Sequence, residues 1–152
     1  MASFVKAADI ITAAVEIERR GRNLYESARK HAASPDDAAF FAFMAEEEKR
    51  HEAVFAAMLP RLGGLELPPG SEEEEYLRYV SDLLDSHSLF MPGLEGRVAA
   101  DPLHAAISME KDTILFFQAM KKLVPPAEQG AVSACEDEEK KHLRMLSARL
   151  PQ

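Results

Sequence analysis

The motif Glu-x-x-His occurs twice in this chain, and each copy follows a separate glutamate at almost the same distance. The first copy is 48–51, and Glu18 lies 30 residues before its glutamate. The second copy is 139–142, and Glu110 lies 29 residues before its glutamate. Residues three apart on an α-helix share a face, so each motif glutamate and its histidine can reach a common point. The pattern therefore predicts two matched helical halves that present carboxylate and imidazole groups.

Helix-breaking residues divide the chain into helical stretches, and no alternating apolar run bounded by turn residues indicates a strand. Ser34 and Asp101 are each followed by a proline, which combines an N-capping side chain with proline at the first helical position. The second helix is expected to end before Pro60. The predicted helices span about 3–31, 35–59, 71–90, 102–124 and 127–149.

Roughly forty residues lie between Pro60 and Asp101, and compact domains seldom contain so long a connection without a topological reason. A crossover between the second and third long helices of a four-helix bundle supplies one, because those two helices then run parallel. The sequence therefore predicts an all-α fold, a four-helix bundle of two helical hairpins with a long crossover that carries an extra short helix. At 152 residues we expect a single domain, 1–152.

In both motifs the glutamate and the histidine replace apolar residues in the middle of an apolar helical stripe. Glu110 does the same between Ile107 and Ile114, and Glu18 lies one turn before Gly21, where a missing side chain lets another helix approach. The stripes of the second and last helices are Phe41, Met44, Glu48, His51, Phe55 and Met58, and Val132, Cys135, Glu139, His142, Leu146 and Arg149.

Four carboxylates and two imidazoles would strongly destabilise an apolar core unless they had a partner. Two divalent cations provide one, because four negative charges then meet four positive charges. Neutral imidazole combined with carboxylate favours iron, manganese or zinc over calcium or magnesium. The predicted metal ligands, through which any catalysis would run, are Glu18, Glu48, His51, Glu110, Glu139 and His142.

Some neighbouring acidic residues are alternatives to these ligands. Glu16 competes with Glu18, and Glu136 or Glu138 competes with Glu139. Three glutamates lie off the apolar stripes, and we expect solvent to surround them. These three are Glu46, Glu47 and Glu138.

Two further residues near the predicted ligands have a structural and a functional interpretation. Tyr25 is expected to be a core aromatic residue whose hydroxyl group bonds a nearby carboxylate, and electron transfer is the alternative role. Cys135 is expected to be a small buried hydrophobic residue, and a redox thiol is the alternative. The three histidines without a motif, which are not expected to be ligands, are His31, His87 and His104.

The formal net charge of −8 argues against a nucleic-acid partner, because phosphate binding needs clustered lysine and arginine. No apolar run approaches the roughly 20 residues needed to cross a bilayer, so no membrane partner is expected. The first residues lack the basic start and apolar core of a secretory signal. The single cysteine excludes an internal disulfide, and a reducing cytoplasm is the expected compartment.

The four ligand-bearing stretches resemble the rubrerythrin branch of the ferritin-like superfamily. The similar segments cover the four main helices and leave out the crossover; they are 16–25, 43–51, 108–117 and 139–142. The resemblance implies a ferritin-like bundle with a di-iron site, two iron ions per chain, held by the six ligands named above. Manganese or zinc is the alternative metal. The resemblance also implies that Glu48 and Glu139 bridge the two ions.

By the same resemblance, such a site reduces hydrogen peroxide or dioxygen, a role in oxidative stress. Rubrerythrins also end in a rubredoxin-like domain with paired Cys-x-x-Cys motifs, which this sequence does not contain. The electrons are therefore expected to come from a separate donor protein. Rubrerythrins carry a further glutamate three residues after the third-helix ligand, where this chain has Thr113. The remaining set of four glutamates and two histidines is closer to that of bacterioferritin.

The leading hypothesis is a cytoplasmic di-iron oxidoreductase, acting as a homodimer on hydrogen peroxide or dioxygen. One alternative is iron oxidation and storage, which would need a closed shell of many subunits. Another is a non-catalytic metal-binding or sensing module, which would bind metal without turning over peroxide.

Overall fold

The computed structural model describes residues 4–65, 67 and 71–151, and all of its regular secondary structure within those ranges is helical. Two short 3-10 turns, Ser88–Phe90 and Lys121–Leu123, accompany the α-helices. No helix in the described ranges combines the length and the hydrophobicity needed to cross a membrane. The α-helices are α1 (Ala7–Lys30), α2 (Pro35–Leu62), α3 (Ser71–Asp85), α4 (Leu94–Ala100), α5 (Pro102–Met120) and α6 (Pro126–Ala148).

The four long helices form the predicted bundle. Helix α1 packs against α2 and α5, and α6 packs against α5 and α2. Ion pairs at both ends fix the direction of α6 against α2: Arg61, at the end of α2, pairs with Glu128 at 2.7 Å. At the opposite end, Arg149 pairs with Asp37 at 2.7 Å. Since α2 and α6 are antiparallel, and α5 and α6 form a hairpin, α2 runs parallel to α5, as the crossover predicts.

The bundle core consists of the stripes predicted from the sequence. On α2 the six stripe residues are all buried, including Glu48 and His51. On α6 the stripe is buried from Val132 to Leu146, and only Arg149, which pairs with α2, is partly exposed. Burial of these apolar side chains supplies the main driving force for packing the four helices together.

The crossover contains more helix than the sequence indicates. Helix α3 ends at Asp85, and the predicted stretch continues only as the 3-10 turn. The chain then forms α4, a helix that is not evident in the sequence because Gly93 precedes it and Gly96 lies within it. Gly93 has a φ of 80°, a left-handed conformation that side chains disfavour. Helix α3 packs on α5, while α4 packs on α1 and α5, so the crossover covers the outside of the bundle.

Three further predicted helix boundaries are wrong. Helix α5 ends at Met120, and the rest of the predicted stretch forms the 3-10 turn Lys121–Leu123. Helix α2 continues past Pro60 to Leu62, because Pro60 is exposed in the last turn while Leu62 is buried and Arg61 pairs with α6. Helix α1 begins at Ala7, and the predicted start at residue 3 lies outside the described residues. The Asp9 carboxylate accepts hydrogen bonds from the N–H groups of residues 5 and 6, both at 2.8 Å, and so marks the helix start.

The N-cap residue of α5, Asp101, can be tested for its contribution to the stability of the helix that carries Glu110. Asp101 Oδ1 accepts a hydrogen bond from the His104 N–H at 3.1 Å, as the sequence predicts. Asp101→Ala removes this acceptor and is expected to lower the free energy of unfolding by ~1 kcal/mol, whereas Asp101→Asn preserves the cap. Urea unfolding of both variants measures the difference. Equal destabilisation by alanine and asparagine would contradict a capping role.

Candidate metal centre

The six predicted ligands meet in the middle of the bundle, where they form two overlapping groups. In each group, one nitrogen or oxygen atom per residue lies within 4.8 Å of the corresponding atoms of the others. Glu48 and Glu139 belong to both groups, as expected of carboxylates that bridge two ions. The groups are Glu18, Glu48, His51 and Glu139, and Glu48, Glu110, Glu139 and His142.

Several carboxylate oxygens in this cluster are buried and accept no hydrogen bond from the described residues. They are both oxygens of Glu18, Oε1 of Glu48 and Oε2 of Glu110. Orphaned buried acceptors are costly, and an ion that coordinates them removes the cost. The six side chains are at most 2% exposed, so bulk water does not satisfy them. Carboxylate oxygen and imidazole nitrogen atoms of this kind suit a transition metal or zinc.

Glu139 lies between the two imidazole rings. Its Oε1 is 2.8 Å from His51 Nδ1, and its Oε2 is 2.9 Å from His142 Nδ1. Burial alone would raise the pKa of Glu139, but the hydrogen bonds from His142 and His51 outweigh it and hold the pKa well below its usual range. Glu139 is therefore ionised at neutral pH.

Glu139 has the opposite effect on the two histidines, because it raises their pKa values. Burial alone would lower the pKa of His51, but the hydrogen bond and charge of Glu139 raise it to about 9. Burial also opposes protonation of His142, and its carboxylate partners Glu110 and Glu139 raise its pKa to about 10. In the absence of a cation both rings are therefore positively charged at neutral pH. One positive charge compensates Glu139, and ionised Glu138, whose pKa is lowered, despite partial burial, by its hydrogen bond with His51, compensates the other.

The other three carboxyl groups are held neutral by their surroundings. Burial, followed by the charge of Glu139, raises the pKa of Glu18 and of Glu48 well above the usual value. The same two causes raise the pKa of Glu110 to about 8. The cluster therefore holds protons on the atoms that a metal ion would use.

Tyr25 behaves as predicted, since its hydroxyl group donates a hydrogen bond to Glu110 Oε1 at 2.5 Å. The ring is fully buried and stacks on Phe41, with 6.2 Å between the ring centroids. Burial, followed by the charge of Glu110, raises the pKa of Tyr25 well above its usual value. The phenol therefore stays protonated and fixes the position of the Glu110 carboxylate.

Gly21 leaves the space that the Glu48 carboxylate occupies. A Cβ atom at this position would lie 3.1 Å from Met109 Sδ and 3.3 Å from Glu48 Oε2. Contacts of this length require the neighbours to move, so Gly21 gives α1 its close approach to α2 and α5. The interpretation of Gly21 as a helix-contact residue is confirmed.

Charged side chains contact the outer edges of the two imidazole rings, and these contacts were not predicted from the sequence. Glu138 and Glu47, expected to be solvated, are only partly exposed, whereas Glu46 is exposed as predicted. His51 Nε2 lies 2.9 Å from Glu138 Oε2, and Arg50 also bonds Glu138. On the other side, His142 Nε2 lies 3.9 Å from Glu47 Oε1. The signal was present in the repeat, because each motif glutamate directly follows another glutamate.

The alternative acidic residues have partners of their own. Glu16 pairs with Arg20 at 2.8 Å on the helix surface, and Glu136 pairs with Lys121 at 2.9 Å. Neither belongs to the two clustered groups. Glu18 and Glu139 are therefore the residues that the fold brings to the centre.

Thr113 stands where rubrerythrins have a further glutamate. Its side chain contacts a residue of the crossover, His87. The buried His87 ring has Nε2 at 2.9 Å from Thr113 Oγ1, and its Nδ1 accepts a hydrogen bond from the Leu89 N–H. Burial lowers the pKa of His87 to about 4, so the ring is neutral and donates through Nε2. The motif-free histidines His31 and His104 are exposed, as expected of residues outside the cluster.

Cys135 is buried, and burial followed by the charge of Glu139 raises the pKa of its thiol to about 12. The thiolate is the reactive form of cysteine, so the structure favours the interpretation as a small buried hydrophobic residue.

A bundle of two hairpins with carboxylate and imidazole side chains clustered at its centre defines the ferritin-like class. The rubrerythrin family model matches residues 9–150, and the chain belongs to that family. The solved structure of a protein from Thermotoga maritima, described as a ferritin-like diiron-carboxylate protein, is similar with a TM-score of 0.68 and 25% sequence identity. The similarity covers 97% of this chain and 96% of that one. No curated relative matches the chain.

Replacement of Gly21 by alanine is expected to have different effects on the stability of α1 and on metal binding. Alanine in a helix normally stabilises by ~1 kcal/mol over glycine, but at this position its methyl group pushes on Glu48. We expect Gly21→Ala to weaken Co²⁺ binding in a spectroscopic titration. The matched control is Gly130→Ala on α6, where nothing lies within 4 Å of the added Cβ. Equal metal affinity in the two variants would contradict a positioning role for Gly21.

The pKa values of the cluster predict that metal binding releases protons. Glu110, His51 and His142 hold protons below pH values of about 8, 9 and 10 respectively, and a metal requires the deprotonated atoms. Protons and metal therefore compete, so affinity rises with pH between 6 and 8. Titration with Co²⁺ in weakly buffered solution with a pH indicator counts the released protons. An affinity that does not change with pH, without proton release, would contradict this assignment.

Proposed function

We propose that this chain is a di-iron carboxylate oxidoreductase of the rubrerythrin type, which reduces hydrogen peroxide or dioxygen with electrons from a separate donor protein. The observation that carries the proposal is that two ligand groups share Glu48 and Glu139. Glu48 and Glu139, as carboxylates shared by both groups, would hold two ions close together, so that both could act on one substrate molecule. Membership of the rubrerythrin family supports the same assignment.

In this proposal the protein holds the two ions and tunes their surroundings. Glu18 and His51 would complete the coordination of one ion, and Glu110 and His142 that of the other. Two iron ions held there would supply the two electrons that, with two protons, convert hydrogen peroxide to two water molecules. The apolar walls of the bundle exclude bulk water and strengthen the electrostatic interactions within the site.

Tyr25 would act as a positioning residue in the reaction. Its hydroxyl group is the hydrogen-bond donor to Glu110, and it keeps one carboxylate oxygen fixed while the other remains free for an ion. Its phenolic proton also lies at the edge of the cluster, where it can be exchanged with Glu110. The same contact is compatible with the electron-transfer role considered from the sequence.

We further propose that the protein works in a reducing cytoplasm as a homodimer. The single cysteine is buried and free, which is compatible with a compartment where disulfides are not formed. Size measurement by light scattering tests the assembly: a closed shell of many subunits would favour the iron-storage alternative over the proposed enzyme.

Anaerobic reaction of the iron-loaded, reduced protein with hydrogen peroxide tests the proposed activity. We expect one peroxide to be consumed for every two ferrous ions oxidised, followed by repeated turnover when a chemical reductant is supplied. Glu139→Gln is expected to lose at least ~100-fold in rate, since it weakens a residue shared by both ions. Glu46→Gln, which removes a charge from the exposed face of α2, is the matched control.

The outcome of this experiment separates the candidate functions. Metal binding without reduction of peroxide in this experiment, or of dioxygen when the same reduced protein is mixed with air-saturated buffer, would contradict the oxidoreductase proposal and favour a sensing or binding module. An unchanged rate in Glu139→Gln would also contradict it, because the reaction would then occur away from the clustered residues.

A further inference from the structure

The buried cluster raises the question of how a cation reaches it. All six of its side chains are at most 2% exposed, so an ion has to pass between helices. A cavity of about 430 Å³ lies along the contact between α2 and α6 and reaches one of the six, His142. By contrast, a cavity of about 420 Å³ between α1 and α4 is lined by none of them.

The outer edge of the His142 ring, which carries Nε2, faces this cavity. Its Nδ1 faces inward and bonds Glu139 at 2.9 Å, so Nε2 lies on the opposite edge. This nitrogen has no hydrogen-bond partner among the described residues, and its nearest carboxylate oxygen, on Glu47, is 3.9 Å away. A ring that is 1% exposed therefore turns towards the cavity an edge nitrogen that has no hydrogen-bond partner among the described residues.

Two carboxylates line the same cavity, and an arginine joins them. Glu47 and Glu138 both line the cavity, with side chains 25% and 30% exposed. Arg50 Nε donates to Glu47 Oε2 at 3.2 Å, and Arg50 Nη2 donates to Glu138. The guanidinium group thus occupies the position between two carboxylates where a small cation would find its ligands. Its own side chain is 49% exposed, so it can swing into solvent.

We propose that the cavity between α2 and α6 is the port through which divalent cations enter, with the Glu47 and Glu138 carboxylates as transient contacts on the way to His142. Arg50 neutralises the two carboxylates until a cation displaces it. This inference rests on the proposed dimetal centre and concerns the path to it. Carboxylate and imidazole groups are the ligand types that ferrous, manganous and zinc ions prefer.

The apolar part of the cavity wall favours this exchange, whereas the exposed Lys141, which also lines the cavity, adds a second positive charge beside Arg50. Phe43 and Met145 line the cavity, so an ion between the carboxylates is partly shielded from water and attracted more strongly. From the port the ion moves inward along the same imidazoles, because His51 contacts Glu138 through Nε2 and Glu139 through Nδ1. Each ring therefore connects an outer carboxylate with the buried cluster.

The rate of Co²⁺ loading, followed by stopped-flow absorbance, tests the port separately from the centre. Glu47→Gln/Glu138→Gln removes both port carboxylates, and we expect loading to slow ~10-fold with the same final Co²⁺ content per chain. The matched control is Glu46→Gln/Asp137→Asn, which removes two exposed carboxylates from the same two helices. It should load at the rate of the unmodified protein.

Arg50→Gln provides the opposite test, because it leaves both carboxylates in place and removes their competitor. We expect it to load several-fold faster than the unmodified protein. Slower or unchanged loading of this variant would overturn the role of Arg50. Equal rates for the port variant and its control would overturn the port.

The equilibrium Co²⁺ content distinguishes failure of the port from failure of the centre. If the unmodified protein binds no Co²⁺ at equilibrium, the dimetal centre and the port both fail. If only the port variant loses its equilibrium Co²⁺, Glu47 and Glu138 belong to the centre itself, and the port is overturned. Circular dichroism of every variant verifies that the helices are retained.

Discussion

Burial of four carboxyl groups within one apolar core is the constraint on which the rest of this structure depends. Their oxygens need protons, imidazolium partners or metal ions, because an uncompensated buried charge is too costly for a protein to retain. Protons on Glu18, Glu48 and Glu110 and positive charge on the two histidines provide this compensation around the ionised Glu139. Metal ions that bind there would replace those protons, which would link the chemistry of the proposed centre directly to pH.

The bundle meets this constraint by bringing one ligand stretch from each of four helices to the same level. Ion pairs at both ends of α2 and α6 fix the antiparallel alignment of the two motifs, and Gly21 permits the close contact beside Glu48. The crossover also contacts α5 close to the cluster, because neutral His87 forms a hydrogen bond with Thr113, one turn from Glu110. The side chain that stands in place of the further glutamate of rubrerythrins is thus tied to the crossover, which leaves the two-histidine, four-glutamate set at the centre.

Much of this arrangement follows from sequence pattern alone. Helical spacing and interrupted apolar stripes identify the bundle and the six clustered residues, because the pattern repeats in both halves. The pattern could not reveal α4. Glycine disfavours helix locally, and α4 forms because it packs on α1 and α5. The pattern also assigned Glu47 and Glu138 to solvent, since helical position does not show that residues of α2 and α6 meet across a gap. That gap depends on how closely the two hairpins approach each other, which is a tertiary property.

The central claim is that these six side chains bind two metal ions. Iron content per chain, measured after anaerobic loading and removal of unbound metal, tests it most directly, with the Glu48→Ala/Glu139→Ala variant measured in parallel. The account predicts two iron ions per chain, lost when the two shared carboxylates are removed. Less than one iron per chain, or the same content in the variant, would contradict it and leave the buried carboxyl groups as a feature of helix packing.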